Sequence, residues 1–304
     1  MNRRMIVRML ALLLLLSLTS WTAAEVYKDE VVYAKLKTDG TVENVYIINA
    51  FEADAAQGVV DYGLYSQTLP LSEAEEFTYQ DGQASFTIQP GRFSFQGTKD
   101  SKALPWSFQL SFLLDGQPVQ PDRLSGANGH MEGKLSISVN EDLRIYANSL
   151  SLQVTLTLDS ERCFNINADK ATHAIAGGSR TLSYVVLPGQ SAEYTFSADV
   201  VDFSMAGIQA AGIRMGLDAQ MYQNAALSAL EGSPLQGTVG ALMGNFLSAM
   251  QGQPAQSFAD ERNAVRSLQF IILGEAIQPK AAEKVVEELL RETFWDRVLK
   301  IFGQ

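Results

Sequence analysis

Residues 31–49 read VVYAKLKTDGTVENVYIIN. β-Branched and aromatic residues fill both halves, and Asp39-Gly40 sits between them. That pair tolerates the positive φ of a tight turn, so the stretch is a β-hairpin signature. The signal repeats along the chain. Phe77–Gln80 meets Ala84–Ile88 across Asp81-Gly82, and Trp106–Leu114 runs into Asp115-Gly116. Lys134–Val139 alternates cleanly. So does Leu150–Leu158, whose Leu and Val residues share one face. Ala171–Ile175 meets Thr181–Val186 across Gly177-Gly178, and Ala192–Phe203 and Val265–Leu273 read as further strands. Short strands at this spacing predict a mainly β (α+β) fold of β-sandwich-like antiparallel sheets.

The text changes at Ser204. From there to Ala255 only Arg214, Asp218 and Glu231 are charged. Leu217–Leu230 is rich in Ala and Met, and Val239, Leu242, Met243, Phe246 and Met250 fall at helical spacing. Gly232–Gly237 separates the two, which predicts a helical hairpin inserted between β strands. Gly240 and Gly244 form a GxxxG, in an apolar run too short for a bilayer, so close helix packing explains them. An insertion whose entry and exit lie together predicts that Ala192–Phe203 and Val265–Leu273 are antiparallel neighbours.

Pro279 opens a C-terminal amphipathic helix at the position proline tolerates best. Val285, Val286, Leu289, Leu290, Phe294, Val298 and Ile301 make its apolar face, while Glu287–Arg291 and Asp296–Lys300 are helpful i,i+4 pairs. At the other end, residues 1–24 have a basic start, the apolar run Met9–Leu18 and small residues before a cut after Ala24. That is the form of a secretory signal peptide. The expected organisation is therefore signal peptide 1–24, a β-rich domain 25–203 and 257–277 with room for two subdomains, helical insertion 204–256, and terminal helix 278–304.

The net charge of −11 argues against nucleic-acid binding, which needs basic density to release counterions. The one cysteine, Cys163, lies in a strand-like run and reads as a buried small hydrophobe. Only His130 and His173 are available for acid–base work; neither follows a G-x-S-x-G elbow, which is absent. Two scattered histidines and one cysteine make no zinc cluster. Asn140-Glu-Asp142 reads as a solvated turn rather than a calcium loop, and no phosphate loop precedes a helix. A glycosidase carboxylate pair can be neither pointed to nor dismissed by counting. Trp106, in an alternating strand, reads as core. Catalytic residues, cofactors and metals are thus all expected to be none.

Several stretches together resemble a known group. These are Tyr27–Phe51 (YKDEVVYAKLKTDGTVENVYIINAF), Leu114–Val139, Leu187–Phe203, Ser257–Ile277 and Thr293–Gly303 (TFWDRVLKIFG). In this order they resemble exported β-rich proteins of Gram-positive anaerobes. Those are similar to the extracytoplasmic part of phage-infection-protein (Pip/YhgE-like) membrane proteins. In the longer relatives Leu-x-x-Gly heptads build a long helical segment; here it is cut down to Ser204–Ala255. The resemblance implies no catalytic residue. It implies an exported, cell-envelope-associated, non-enzymatic accessory protein whose partner is a membrane exporter or envelope protein. A carbohydrate-binding or carbohydrate-active sandwich is the alternative.

The tail then becomes the candidate contact. Phe294, Trp295, Arg297, Val298, Lys300, Ile301 and Phe302 fit three readings: a helix packed on the β domain, a peripheral foot at the lipid interface, or a handle for a partner helix.

Overall fold

The computed structural model describes residues 25–73, 75–214 and 255–280. The predicted signal segment, most of the predicted insertion, and the predicted terminal helix beyond Lys280, with its seven candidate contact residues, lie outside the described residues.

The described chain is mainly β, with several antiparallel sheets. Its first strands are β1 (Val26–Leu36), β2 (Val42–Ala53), β3 (Gln57–Tyr62), β4 (Gln67–Pro70), β5 (Glu75–Gln80), β6 (Gln83–Ile88) and β7 (Gly91–Lys99). Then come β8 (Trp106–Leu114), β9 (Gln117–Val119), β10 (Gly129–Val139), a short helix α1 (Arg144–Ser149), β11 (Ser151–Asp159) and β12 (Cys163–Asn167). The last are β13 (Thr172–Ala176), β14 (Ser179–Val186), β15 (Ala192–Val200), β16 (Gln209–Ile213), β17 (Ala255–Gln256), β18 (Ala264–Val265) and β19 (Ser267–Gly274).

Every sequence-predicted β-hairpin forms. β1 pairs with β2, β5 with β6, β8 with β9 and β13 with β14, all antiparallel. Asp81-Gly82, Asp115-Gly116 and Gly177-Gly178 all take positive φ, as the turns demand. At Gly40, φ is +95° and an added Cβ would lie 2.5 Å from the Phe108 carbonyl oxygen. The β1–β2 turn is therefore pressed against β8, and Leu110 N–H donates to Asp39 O at 2.9 Å.

A nine-stranded sheet runs β13-β14-β11-β16-β19-β1-β2-β7-β4, and a five-stranded sheet runs β12-β15-β10-β8-β9. A three-stranded sheet, β3-β6-β5, and the small β17-β18 pair complete the strands. The five-stranded sheet covers one half of the long sheet's inner face. There Trp106 meets Phe270 edge-on at 5.6 Å, and Tyr184 stacks on Tyr194 at 4.3 Å. Such pairs add about 0.5–1.5 kcal/mol each beyond burial. The three-stranded sheet covers the other half, where Phe51, Phe86, Phe93 and Phe95 cluster, Phe86–Phe93 at 4.5 Å. Two β-sandwich-like cores thus share one long sheet. Trp106 and Cys163 are both buried, as their strand positions predict.

Two expectations need correction. Ala192–Phe203 and Val265–Leu273 are not neighbours: β15 lies in the five-stranded sheet, and β19 lies in the nine-stranded one. β19 pairs instead with β1, in parallel, and with β16, antiparallel. The helical insertion was also placed too early, because Gln209–Ile213, inside 204–256, is strand β16. Its Ala-Ala-Gly composition looks helical. The sheet requires it: a Cβ on Gly212 would come within 2.9 Å of the Trp106 ring and 3.1 Å of Phe270. Small residues let the sheet's middle close on those aromatics.

Candidate functional site

The described chain stops at Arg214 and resumes at Ala255. β16 ends level with the start of β19, whose Ser267 pairs with Asp29 near the start of β1. Both ends of the 215–254 segment therefore join at the pole where β1 begins. The described chain ends at the opposite pole, where Met205 bridges Leu158 and Ile277.

The chain from Ala255 is clamped by buried charge. Alternation along β1 puts Lys28 and Glu30 on the same inner face as Val32, Ala34 and Leu36. Glu30 is fully buried. Its carboxylate accepts from Ser257 Oγ at 2.5 Å, from Phe258 N–H at 2.7 Å and from Ala259 N–H at 3.3 Å. Lys28 Nζ lies 2.7 Å from Glu30 and 2.5 Å from Asp61 on β3. A buried charge persists only where partners satisfy it, and Glu30 has four. Asp61 is less well served: Oδ2 is buried without a hydrogen-bond partner, and burial pushes its pKa up to about 6 against the pull of Lys28.

Other elements close on the same turn. Tyr146 of α1 donates to Ser257 O at 2.8 Å. Phe258 packs against Tyr146 and Phe270, both at 5.1 Å, with the Lys99 ammonium 5.7 Å from its ring. Asn263 donates to Tyr62 O at 2.7 Å and accepts from Tyr62 N–H at 3.0 Å, and Arg262 lies over the Tyr62 ring at 3.9 Å. Outside, Arg266 binds Asp29 and Glu52, and its hydrogen bond to Asp29 holds that carboxyl below the ordinary range. Five parts of the fold, β1, β3, β7, α1 and β19, thus fix the segment that follows the insertion. The sequence carries a signal for this clamp: Lys28 and Glu30 both fall on the buried parity of β1.

A second feature lies on the outer face of the five-stranded sheet. A cleft of about 430 Å³ has Ser111, Glu132, Lys134, Thr195 and Ser197 on its floor and Asn167–Asp169 as a wall. Next to it His130 Nδ1 lies 2.7 Å from Asp199, whose other oxygen accepts from Asn165 at 2.7 Å. Asp199 raises the His130 pKa, and that contact together with Asn165 lowers the Asp199 pKa. His130 therefore sits on a strand, not in the turn its glycines suggest. His173 faces Ala168 O at 3.2 Å. Asn140 caps its own turn by accepting from Asp142 N–H at 3.2 Å, and Glu141 pairs with Arg144, so this turn is occupied by structural contacts. Burial pushes the Cys163 thiol up to about 11, the reverse of an activated nucleophile. Among the described residues no group of three or more His, Cys, Asp or Glu is placed to hold a metal ion. None of their helices is long and apolar enough to cross a membrane.

No family model and no curated protein matches the chain. Among solved structures it is similar to the Fcho1 mu homology domain of Danio rerio with bound Eps15 peptide. The identity is 10%, the TM-score 0.43, and the match covers 84% of this chain and 97% of that one. The yeast delta-COP-I mu-homology domain matches at 8% identity and TM-score 0.39, over 84% and 96%. An M1 zinc metallopeptidase from Deinococcus radiodurans matches at 10% identity and TM-score 0.19, over 57% and 42%. At these identities and scores the likeness says nothing about activity.

Proposed function

We propose that the protein is exported and works as a non-enzymatic interaction module at the outer face of the membrane, associated with a membrane exporter or envelope complex. The resemblance to the extracytoplasmic part of phage-infection-protein-like proteins motivates this reading. The observation that carries it is the clamped pole. A stretch with almost no charge, 215–254, is followed in the chain by a turn that Glu30, Tyr146 and Asn263 fix to the β body. A rigid mount for a charge-poor segment suits a contact presented to a partner, since apolar surface at such a segment gains by being covered.

The test replaces 215–254 by a flexible Gly/Ser linker in the full chain. The variant should keep its Tm within a few degrees, and should no longer recover the membrane protein that the wild type pulls from envelope extracts. Recovery of no membrane protein by the wild type, or of the same one by the variant, overturns the proposal.

A second reading, carbohydrate binding, is supported by the polar cleft, whose lining includes the carboxylates of Glu132 and Asp169. Its hydroxyls, amide and charges suit sugar hydroxyls, although the lining has no exposed aromatic platform. Titration of the full chain with cell-wall oligosaccharides, followed at the Thr195 and Ser197 amides, separates the two readings.

A further inference from the structure

The three larger sheets end in six edge strands, and five of them are blunted. β4 has only four residues and ends in Pro70. β9 has three, with Pro118 in the middle. β12 slips register between Phe164 and Asn167 and has Asn165 at φ +49°. β5 slips between Glu75 and Thr78 and has Glu76 at φ +58°. β3 turns Asp61 inward and has its Tyr62 N–H and C=O taken by the Asn263 side chain. Proline, bulges, inward charge and covering groups are the devices that stop sheets from joining edge to edge.

β13 has none of them. Thr172–Ala176 pairs with β14 in unbroken register over all five residues. All five are exposed, Ile175 by 68%. The strand carries no proline, no glycine and no charge.

We propose that this edge pairs with the same edge of a second copy, antiparallel about a two-fold axis through Ala174, joining two nine-stranded sheets into one. Charge and size single out this occupant. In a chain of net charge −11, self-association needs a contact free of like charges. Pairing about Ala174 sets Ala174 opposite its own mate, His173 opposite Ile175 and Thr172 opposite Ala176. The ladder is bounded by the turns at Ala168–Ala171 and Gly177-Gly178, so it holds only the five uncharged residues and no like charges meet in it. The small side chain on the axis lets the backbones reach ladder distance, and His173 and Ile175, both exposed, lie on the same side of the sheet as Leu182. A closed two-fold contact of this kind uses each edge once and stops at the dimer.

The test is sedimentation equilibrium of the full chain up to about 1 mM, the weak end of specific association. The wild type should show a monomer–dimer equilibrium. Ala174→Lys places two like charges on the axis and should raise the dimer Kd at least about fivefold, as should Ala174→Glu. An equimolar mixture of the two variants should dimerise again, now as a heterodimer, with each variant's Tm unchanged. A wild type that is monomeric throughout, or variants that self-associate as before, overturns the proposal.

Discussion

Asp61 is the residue whose environment fits it least. It shares Lys28 with Glu30, and one of its oxygens is buried without a partner. Burial lifts its pKa to about 6 from 3.8. Between those pH values the folded state binds the proton more tightly than the unfolded one. The stability linked to this group is therefore fullest below about pH 4 and is lost as pH rises through 6. Asp29, Asp39 and Asp260 are shifted down and act in the opposite sense, so the wild-type profile mixes both. Asp61→Asn isolates the effect by removing only the titration. Its stability relative to wild type should rise by up to about 3 kcal/mol between pH 4 and pH 7, as 2.2 pKa units imply. Urea melts at the two pH values measure it, and a pH-independent difference would place the titration elsewhere.

At the scale of elements, β16 joins the two halves of the molecule's largest core and has the least strand-like sequence of any central strand. Gly212→Val should overpack Trp106 and Phe270, lower the urea midpoint and cost about 1–3 kcal/mol. Ile213→Val, which removes one methyl group at an exposed position, should cost far less. The contrast explains what was legible. Alternation in Lys134–Val139 and Leu150–Leu158 shows which side chains face inward, and Asp-Gly or Gly-Gly pairs mark the turns. Both are local physics. Alternation does not say which strand lies beside which. The β1–β19 pairing joins residues more than 200 positions apart, and in a parallel ladder no turn announces it. β16 was missed because its side chains are set by what Trp106 and Phe270 leave room for. That packing requirement comes from strands β8 and β19. The buried Lys28, Glu30 and Asp61 were missed for the related reason that their partners come from β3 and from the turn at Ser257.

The whole molecule has two poles, and its two remaining hydrophobic stretches are divided between them. The 215–254 segment joins where β1 begins; the tail continues from Lys280, at the far pole, where Ser125 Oγ donates to Gln278 O at 2.8 Å. The described residues bury an extensive core, from Val32 to Ile277. Deleting Thr293–Gln304 separates the readings: loss of a core helix would cost several kcal/mol and lower Tm well beyond about 3 °C, whereas loss of a foot or a handle should leave Tm within that range. With folding set aside, the foot and the handle make different predictions. A foot containing Phe294, Trp295, Arg297 and Lys300 should carry the wild type to the top of a flotation gradient with vesicles of anionic lipid. The truncated chain should stay at the bottom. A handle should leave flotation absent in both and reduce partner recovery instead. Because the poles are opposite, the chain in which a linker replaces 215–254 should float like the wild type while failing to capture the partner. Loss of both behaviours on changing either segment alone would mean that one surface serves lipid and partner together, and would sink the two-pole account.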